Sequence, residues 1–249
     1  MALQAYEGAI HLEVEKIKND GGRSWENLSF YHKNLGLALY HQGDMERALE
    51  EYEKAIKYND MNADNYFNRG NVRLNEENFD LAHMDFEAAI EREDRNAKFY
   101  HAKGLAYQAE AEKIARQPEP DTELEADKIN QAITFFQYSL QYCSTFISSM
   151  FHLGLMYRRT EKFHEALQEF TKVKELLPQD KTIYIQRGLV YQDMGNHQYA
   201  ITDFDTALQI EPNYGLSWFH MGVSKLKSNR IRKTETYDQD NKIDFKNLE

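Results

Sequence analysis

Residues 67–74 read FNRGNVRL, and Gly70 lies in the middle of a stretch that otherwise has the composition of a helix. A glycine inside a helix costs about 1 kcal/mol relative to alanine, because the backbone loses more freedom and no side chain packs in return. Glycine nevertheless recurs at intervals of 34, 34, 50, 34 and 34 residues, at Gly36, Gly70, Gly104, Gly154, Gly188 and Gly222. These six repeat glycines indicate a repeat protein.

Four further columns follow the repeat glycines. An alanine comes twelve residues later, at Ala48, Ala82, Ala166 and Ala200, and an aromatic residue comes sixteen later, at Tyr52, Phe86, Phe170 and Phe204. A slim side chain follows at Ala55, Ala89, Val173 and Ala207, and turns follow at Asp60, Asp94, Pro178 and Pro212. This spacing predicts two short amphipathic helices per repeat. We expect the glycine and the alanine to let the two backbones approach closely, with the aromatic rings in the flanking grooves.

The columns resemble the tetratricopeptide repeat family, as in Tyr184, Gly188, Tyr191, Ala200, Phe204, Ala207 and Pro212, and the resemblance covers about residues 29–226. It implies an all-α fold, a right-handed superhelical solenoid of antiparallel helix hairpins. It also implies a scaffold, since this family hosts many different partners.

The repeat defines the expected organisation of the chain. Its segments are 1–28, an N-terminal half-repeat helix and linker; 29–62, repeat 1; 63–96, repeat 2; 97–146, repeat 3 with inserted extended helices; 147–180, repeat 4; 181–214, repeat 5; and 215–249, a C-terminal capping helix and polar tail. The half repeat is assigned because Ala2, Tyr6 and Ala9 match the columns of a second helix.

The insertion at 108–131 lengthens the third repeat. PEPD at 118–121 must interrupt a helix, and the following segment can restart one with Thr122 as N-cap and Glu125 three residues later. We therefore predict two elongated helices that project from the array. A mobile acidic loop is the alternative.

Composition excludes several function classes. A net charge of -11 with interspersed signs argues against nucleic acid, and the run from Ile129 to Tyr157, although uncharged, is too polar for a membrane span. The single Cys143 suits a reducing compartment, so a cytoplasmic location is expected. No phosphate loop, nucleophile elbow or paired histidines of metal-ligand spacing are found, and we expect no enzyme, cofactor or metal site.

The resemblance implies that first helices line a concave surface, with the residues three before and one after each repeat glycine pointing into it. The first set is Lys33, Phe67, His101, Phe151, Ile185 and Phe219, and the second is Leu37, Asn71, Leu105, Leu155, Leu189 and Val223. If exposed, this surface suits an amphipathic helix or an extended segment with aromatic anchors. Alternatively, curvature or the inserted helices cover it.

Some members of the family clamp the acidic C-terminal tail of heat-shock chaperones with lysines, asparagines and an arginine. Lys33, Asn68 and Lys98 match that pattern, whereas Leu37 and Ala102 replace a polar residue and the arginine. The predicted function is a non-catalytic protein-protein interaction scaffold that binds a partner segment in the groove. The alternatives are a structural subunit of a large cytoskeletal or ciliary assembly and a chaperone adaptor that clamps an acidic peptide.

Overall fold

The computed structural model describes residues 2–20 and 25–240, and within these ranges all regular secondary structure is α-helical. The helices are α1 (Ala2–Asp20), α2 (Trp25–Gln42), α3 (Met45–Tyr58), α4 (Ala63–Asn75), α5 (Phe79–Arg92), α6 (Ala97–Ala115), α7 (Thr122–Tyr142), α8 (Ile147–Arg159), α9 (Phe163–Leu176), α10 (Lys181–Asp193), α11 (His197–Ile210) and α12 (Gly215–Asp240). The fold is therefore an all-α helical repeat, as the sequence predicts.

The chain divides into two compact units, Met1–Ser149 and Met150–Glu249. In the first unit α2 packs on α3, α4 on α5, and α6 on α7, so that these six helices form three hairpins. In the second unit α10 packs on α9 and α11, and α12 packs on α11. The predicted half repeat also packs, since Tyr6 of α1 contacts the core around Leu35 and Tyr52. The predicted linker includes residues 21–24, which lie outside the described residues.

The repeat glycines make room for aromatic rings. A β-carbon added at Gly70 would lie 2.8 Å from Cε1 of Phe86, and one added at Gly188 would lie 2.8 Å from the same atom of Phe204. Both rings are fully buried. Gly36, Gly104 and Gly154 meet Tyr52, Phe136 and Phe170 in the same way. The expectation placed the rings in flanking grooves, but the ring itself occupies the space in front of the glycine.

Each short hairpin turns through a residue in the left-handed region, seven positions after the repeat glycine. These residues are Gly43, Glu77, Glu161 and Gly195, with φ of 83°, 56°, 58° and 75°. In the second hairpin the Glu77 N–H donates to the Leu74 carbonyl, and the Asn78 N–H donates to that of Arg73. This pair of hydrogen bonds is a Schellman motif, which ends the first helix by satisfying its last carbonyls.

The insertion forms two long helices, α6 of 19 residues and α7 of 21 residues, joined by a short exposed connection. Their extra turns are packed, because Ala111, Ile114 and Ile129 are buried. The N-cap of α7 is Asp121, whose carboxylate accepts from the N–H groups of Glu123 and Leu124. The prediction of Thr122 as the cap was wrong by one residue, because an aspartate directly before it makes the stronger, charged cap.

The last helix differs from the preceding first helices. α12 spans 26 residues and continues through Asp240 without a hairpin turn. It packs on α11 through Met221, which joins a cluster with Ala200 and Phe204. The polar tail predicted after it lies outside the described residues from 241 onwards. None of the described helices is long and apolar enough to cross a membrane.

Candidate peptide-binding face

The first helices of the first unit lie side by side, since α2 contacts α4 and α4 contacts α6. The predicted groove positions Lys33, Leu37, Phe67, Asn71, His101 and Leu105 therefore stand in equivalent places on three neighbouring helices. Leu37 is 38% exposed. The other five are half-buried, so this face is accessible but not projecting.

Phe67 belongs partly to the core. Its ring lies 5.2 Å from that of Phe99 and 6.2 Å from that of Phe86, measured between centroids. The Lys98 ammonium lies 5.0 Å from the Phe67 ring centroid, so an aromatic surface carries a cation on its outer side. A substitution at Phe67 would disturb packing as well as any bound ligand.

His101 is also committed to packing. Its Nδ1 lies 2.9 Å from Oγ of Ser149, and the Ser149 hydroxyl donates to Oγ of Ser139 at 2.8 Å. Its ring lies against Phe136 and Phe146. These contacts join α6 to the residues that follow α7. His101 therefore has a structural role within the first unit.

The residues that match the chaperone-clamping pattern are partly engaged by neighbours. The Lys33 ammonium lies 3.7 Å from the Asp64 carboxylate at the start of α4. Asn68 is half-buried and Lys98 is exposed. Ala102, at the place of the missing arginine, is only 4% exposed and contributes no donor. A carboxylate ligand would therefore meet two lysines, one of which already has an acidic neighbour.

In the second unit the predicted positions are not equivalent. Ile185 is only 6% exposed and Phe151 packs on Phe170 with 5.8 Å between ring centroids, whereas Phe219 is 63% exposed. Leu189 is half-buried against the cluster around Phe204. Leu155 lines an open depression of 270 Å³ together with Arg158, Arg159 and Asp193. Arg158 Nε donates to the Asp193 carboxylate at 2.6 Å, which fixes the rim of this depression.

Sequence reasoning missed a charged column inside the hairpins. Asp85, directly before Phe86, is 2% exposed and accepts hydrogen bonds from Arg69 and Arg73, each at 2.7 Å. Asp203, directly before Phe204, pairs with Arg187 in the same way. The hydrogen bonds to Asp203 raise the pKa of Arg187. An arginine directly before the repeat glycine and an aspartate directly before the aromatic residue are the signal that could have revealed these pairs.

The described residues contain no group of three or more His, Cys, Asp and Glu side chains that could hold a metal ion. All six predicted groove positions in the second unit are apolar, and three of those in the first unit, Leu37, Phe67 and Leu105, are apolar too.

The hairpins, with their first helices side by side in the first unit, are typical of helical-repeat proteins that bind other proteins. A family described as "TPR repeat" matches residues 36–76, and two described as "Tetratricopeptide repeat" match residues 147–180 and 182–214. These three stretches therefore match repeats of the family that the sequence columns resemble.

Curated relatives and solved structures agree with this family. The chain is 20% identical over 242 residues to the "Hsp70-Hsp90 organizing protein" of Triticum aestivum, with 87% of this chain and 41% of that protein covered. It is 30% identical over 81 residues to the human "Protein SGT1 homolog", with 32% and 22% covered. The chain thus spans less than half the length of these relatives.

Among solved structures, the chain is similar to YrrB, described as "a TPR protein with an unusual peptide-binding site". The TM-score is 0.61 at 21% identity, with 85% of this chain and 96% of that one covered. At this identity the similarity establishes the fold alone.

Proposed function

We propose that this chain is a non-catalytic scaffold that binds a segment of a protein partner along its first helices. The repeat family supports this function, and so does the similarity to a repeat protein described as having a peptide-binding site. A cytoplasmic location is part of the same proposal, supported by a sequence with one cysteine. No observation favours the alternative of a cytoskeletal or ciliary subunit.

The observation that carries the proposal is the depression beside Leu155. A half-buried leucine lies at a 270 Å³ recess whose rim is formed by Arg158, Arg159 and Asp193. The recess can take one apolar side chain of a partner, and the paired Arg158 and Asp193 give it a charged rim. Its size suits an anchor residue in a longer segment and not a small metabolite.

The test uses peptides selected from a random library on the immobilised chain and then titrated in solution. We expect Leu155→Asp to weaken the selected peptides by about tenfold or more, because a carboxylate in the recess repels an apolar anchor. Leu81→Asp on α5 is the matched control, since Leu81 is also a partly exposed leucine but belongs to a second helix. Equal affinity for the two variants would contradict the proposed site.

A chaperone adaptor is the second candidate, favoured by the similarity to the Hsp70-Hsp90 organizing proteins and by Lys33, Asn68 and Lys98. The same titration distinguishes it when the ligand is an acidic peptide with a free C-terminal carboxylate, compared with its C-terminal amide. A clamp should prefer the free carboxylate and lose affinity in Lys98→Ala. A peptide that binds equally in both forms, or not at all, would exclude the clamp.

A further inference from the structure

Gly222 on α12 is a repeat glycine without its aromatic partner. A β-carbon added there would have nothing within 4 Å, whereas the five preceding repeat glycines each meet a ring at 3.0 Å or less. The helical glycine therefore leaves a notch on the surface of α12 that every earlier hairpin fills. Helical spacing places the notch away from the buried side of α12, which carries Ser217, Met221 and Ser224.

Solvent-exposed apolar side chains surround this notch. Trp218 is 55% exposed and Leu226 is 74% exposed, and Phe219 extends the same surface. In the earlier repeats the aromatic residue at the place of Trp218, four before the glycine, is half-buried at Tyr66, Tyr100 and Tyr184. α12 thus displays the contact surface of a first helix without the second helix that normally covers it.

A basic residue stands near the notch at the same spacing as in an earlier repeat. Lys225 is exposed and stands three residues after Gly222, the place that Arg73 occupies relative to Gly70. Arg73 donates to the buried Asp85, the residue directly before the aromatic ring that fills the Gly70 notch. A helix docked on α12 in the same way would bring an aspartate at that place to Lys225.

Residues 223–240 do not supply this helix. Thr234 and Asp238 stand where the alanine and aromatic columns would fall, and α12 remains one helix through Asp240. The hairpin turn that would bring a second helix back to Gly222 is therefore missing from this part of the chain.

We propose that α12 is a docking surface for an amphipathic helix of another protein with the pattern Ala-x-x-Asp-Phe-x-x-Ala, whose phenylalanine fills the Gly222 notch and whose aspartate pairs with Lys225. The proposed helix would repeat the contact that already joins α4 to α5 and α10 to α11. The second helices of these pairs carry the same pattern, at Ala82, Asp85, Phe86 and Ala89 in α5 and at Ala200, Asp203, Phe204 and Ala207 in α11. This surface is distinct from the recess beside Leu155, so the two sites can be tested separately.

The experiment uses a peptide with the sequence of residues 79–92, FDLAHMDFEAAIER, as the probe. In a Trp25→Phe background Trp218 is the one tryptophan, and docking should shift its fluorescence to shorter wavelength in a saturable way. Gly222→Leu places a side chain in the notch, where an added β-carbon meets nothing within 4 Å, and it should weaken binding by about tenfold or more. The peptide with Phe86→Ala should bind as weakly to the parent.

Charge reversal tests the second contact. Lys225→Glu should weaken the probe several-fold, and a peptide with Asp85→Lys should recover the loss on that variant only. Leu155→Asp should leave the probe's affinity unchanged, which separates this site from the proposed groove. Absence of a saturable shift up to about 1 mM peptide, or equal binding by Gly222→Leu, would overturn the proposal.

Sedimentation of the parent chain without peptide examines a second copy as the occupant. We expect no self-association that depends on Gly222. A dimer that Gly222→Leu abolishes would overturn the assignment to a separate partner and would assign the surface to another copy of this chain.

Discussion

Gly70 and Gly222 occupy the same column of the repeat but have different surroundings. In front of Gly70 the ring of Phe86 leaves no space for a β-carbon, while in front of Gly222 nothing lies within 4 Å. The same substitution should therefore have opposite effects at the two sites, because strain dominates at one and helix propensity at the other.

Gly70→Ala should lower the free energy of unfolding by about 1–3 kcal/mol, since the buried Phe86 ring must move from its position. Gly222→Ala should raise it by up to about 1 kcal/mol, because alanine is the better helix former. Thermal unfolding followed by far-UV circular dichroism measures both. A loss of stability in both variants would show that the surface of α12 is already covered in the free chain.

At the level of single residues, the sequence predicts which side chains enter the core but not all of their partners. Tyr52, Phe86 and Ala48 are predicted from their columns and are fully buried. The pairing of Asp85 with two arginines was not predicted, because the position before the repeat glycine varies and an isolated arginine reads as a surface residue. Periodicity reports apolar burial well, whereas a buried ion pair depends on the meeting of two separate helices.

At the level of helices, the hairpin turns depend on one backbone conformation. Glycine adopts the left-handed region at Gly43 and Gly195, but the same place is taken by a glutamate in two other hairpins. A side chain with a β-carbon is strained there, and the Schellman hydrogen bonds maintain the conformation nonetheless. Replacing the glutamate in these turns with glycine should therefore stabilise the protein.

Glu161→Gly should stabilise the second unit by about 0.5–1 kcal/mol, because it removes the strain of a positive φ, while part of the gain is lost to the more flexible unfolded chain. Glu161→Ala is the control, since it removes the carboxylate but retains the β-carbon. The measurement is the thermal unfolding midpoint of each variant compared with that of the parent. An equal gain from alanine would mean that charge, and not backbone conformation, limits this turn.

The helices themselves were predictable, and their ends less so. The helical composition on both sides of PEPD predicts both long helices of the insertion, whereas Asp121 instead of Thr122 caps α7. Two adjacent residues with suitable side chains compete for that role, and the sequence does not show which one has the extended backbone of a cap. The exposure of the groove positions could not be predicted from their column alone. Ile185 and Phe219 share a column, but Ile185 is buried and Phe219 is exposed.

At the level of the whole molecule, stability should depend on pH through His83. Burial lowers the pKa of its imidazole, Lys103 and Lys128 reinforce the effect, and a hydrogen bond to Glu110 opposes it. The unfolded chain then binds a proton more readily than the folded one. Stability from this group is complete above the unfolded pKa of about 6.5 and is lost as the pH falls through the lower, folded pKa.

His83→Gln should therefore make the free energy of unfolding fall less between pH 7 and pH 5 than it does in the parent, by at most about 1.4 kcal/mol per pH unit. Glutamine keeps an amide that can donate to Glu110 but does not titrate. His164→Gln, at an exposed histidine of α9, serves as the control. Denaturant titrations at several pH values provide the measurement, and identical pH profiles for parent and His83→Gln would contradict this role.

The right-handed superhelix stays a prediction from the resemblance. The insertion has a practical consequence for engineering. All residues from 115 to 124 are exposed at the tip of the α6–α7 hairpin, well past the turn level of the short hairpins, while the packed turns below them anchor both arms. An epitope tag or fluorophore acceptor spliced in at this tip would report on the protein in cells without interrupting the repeat.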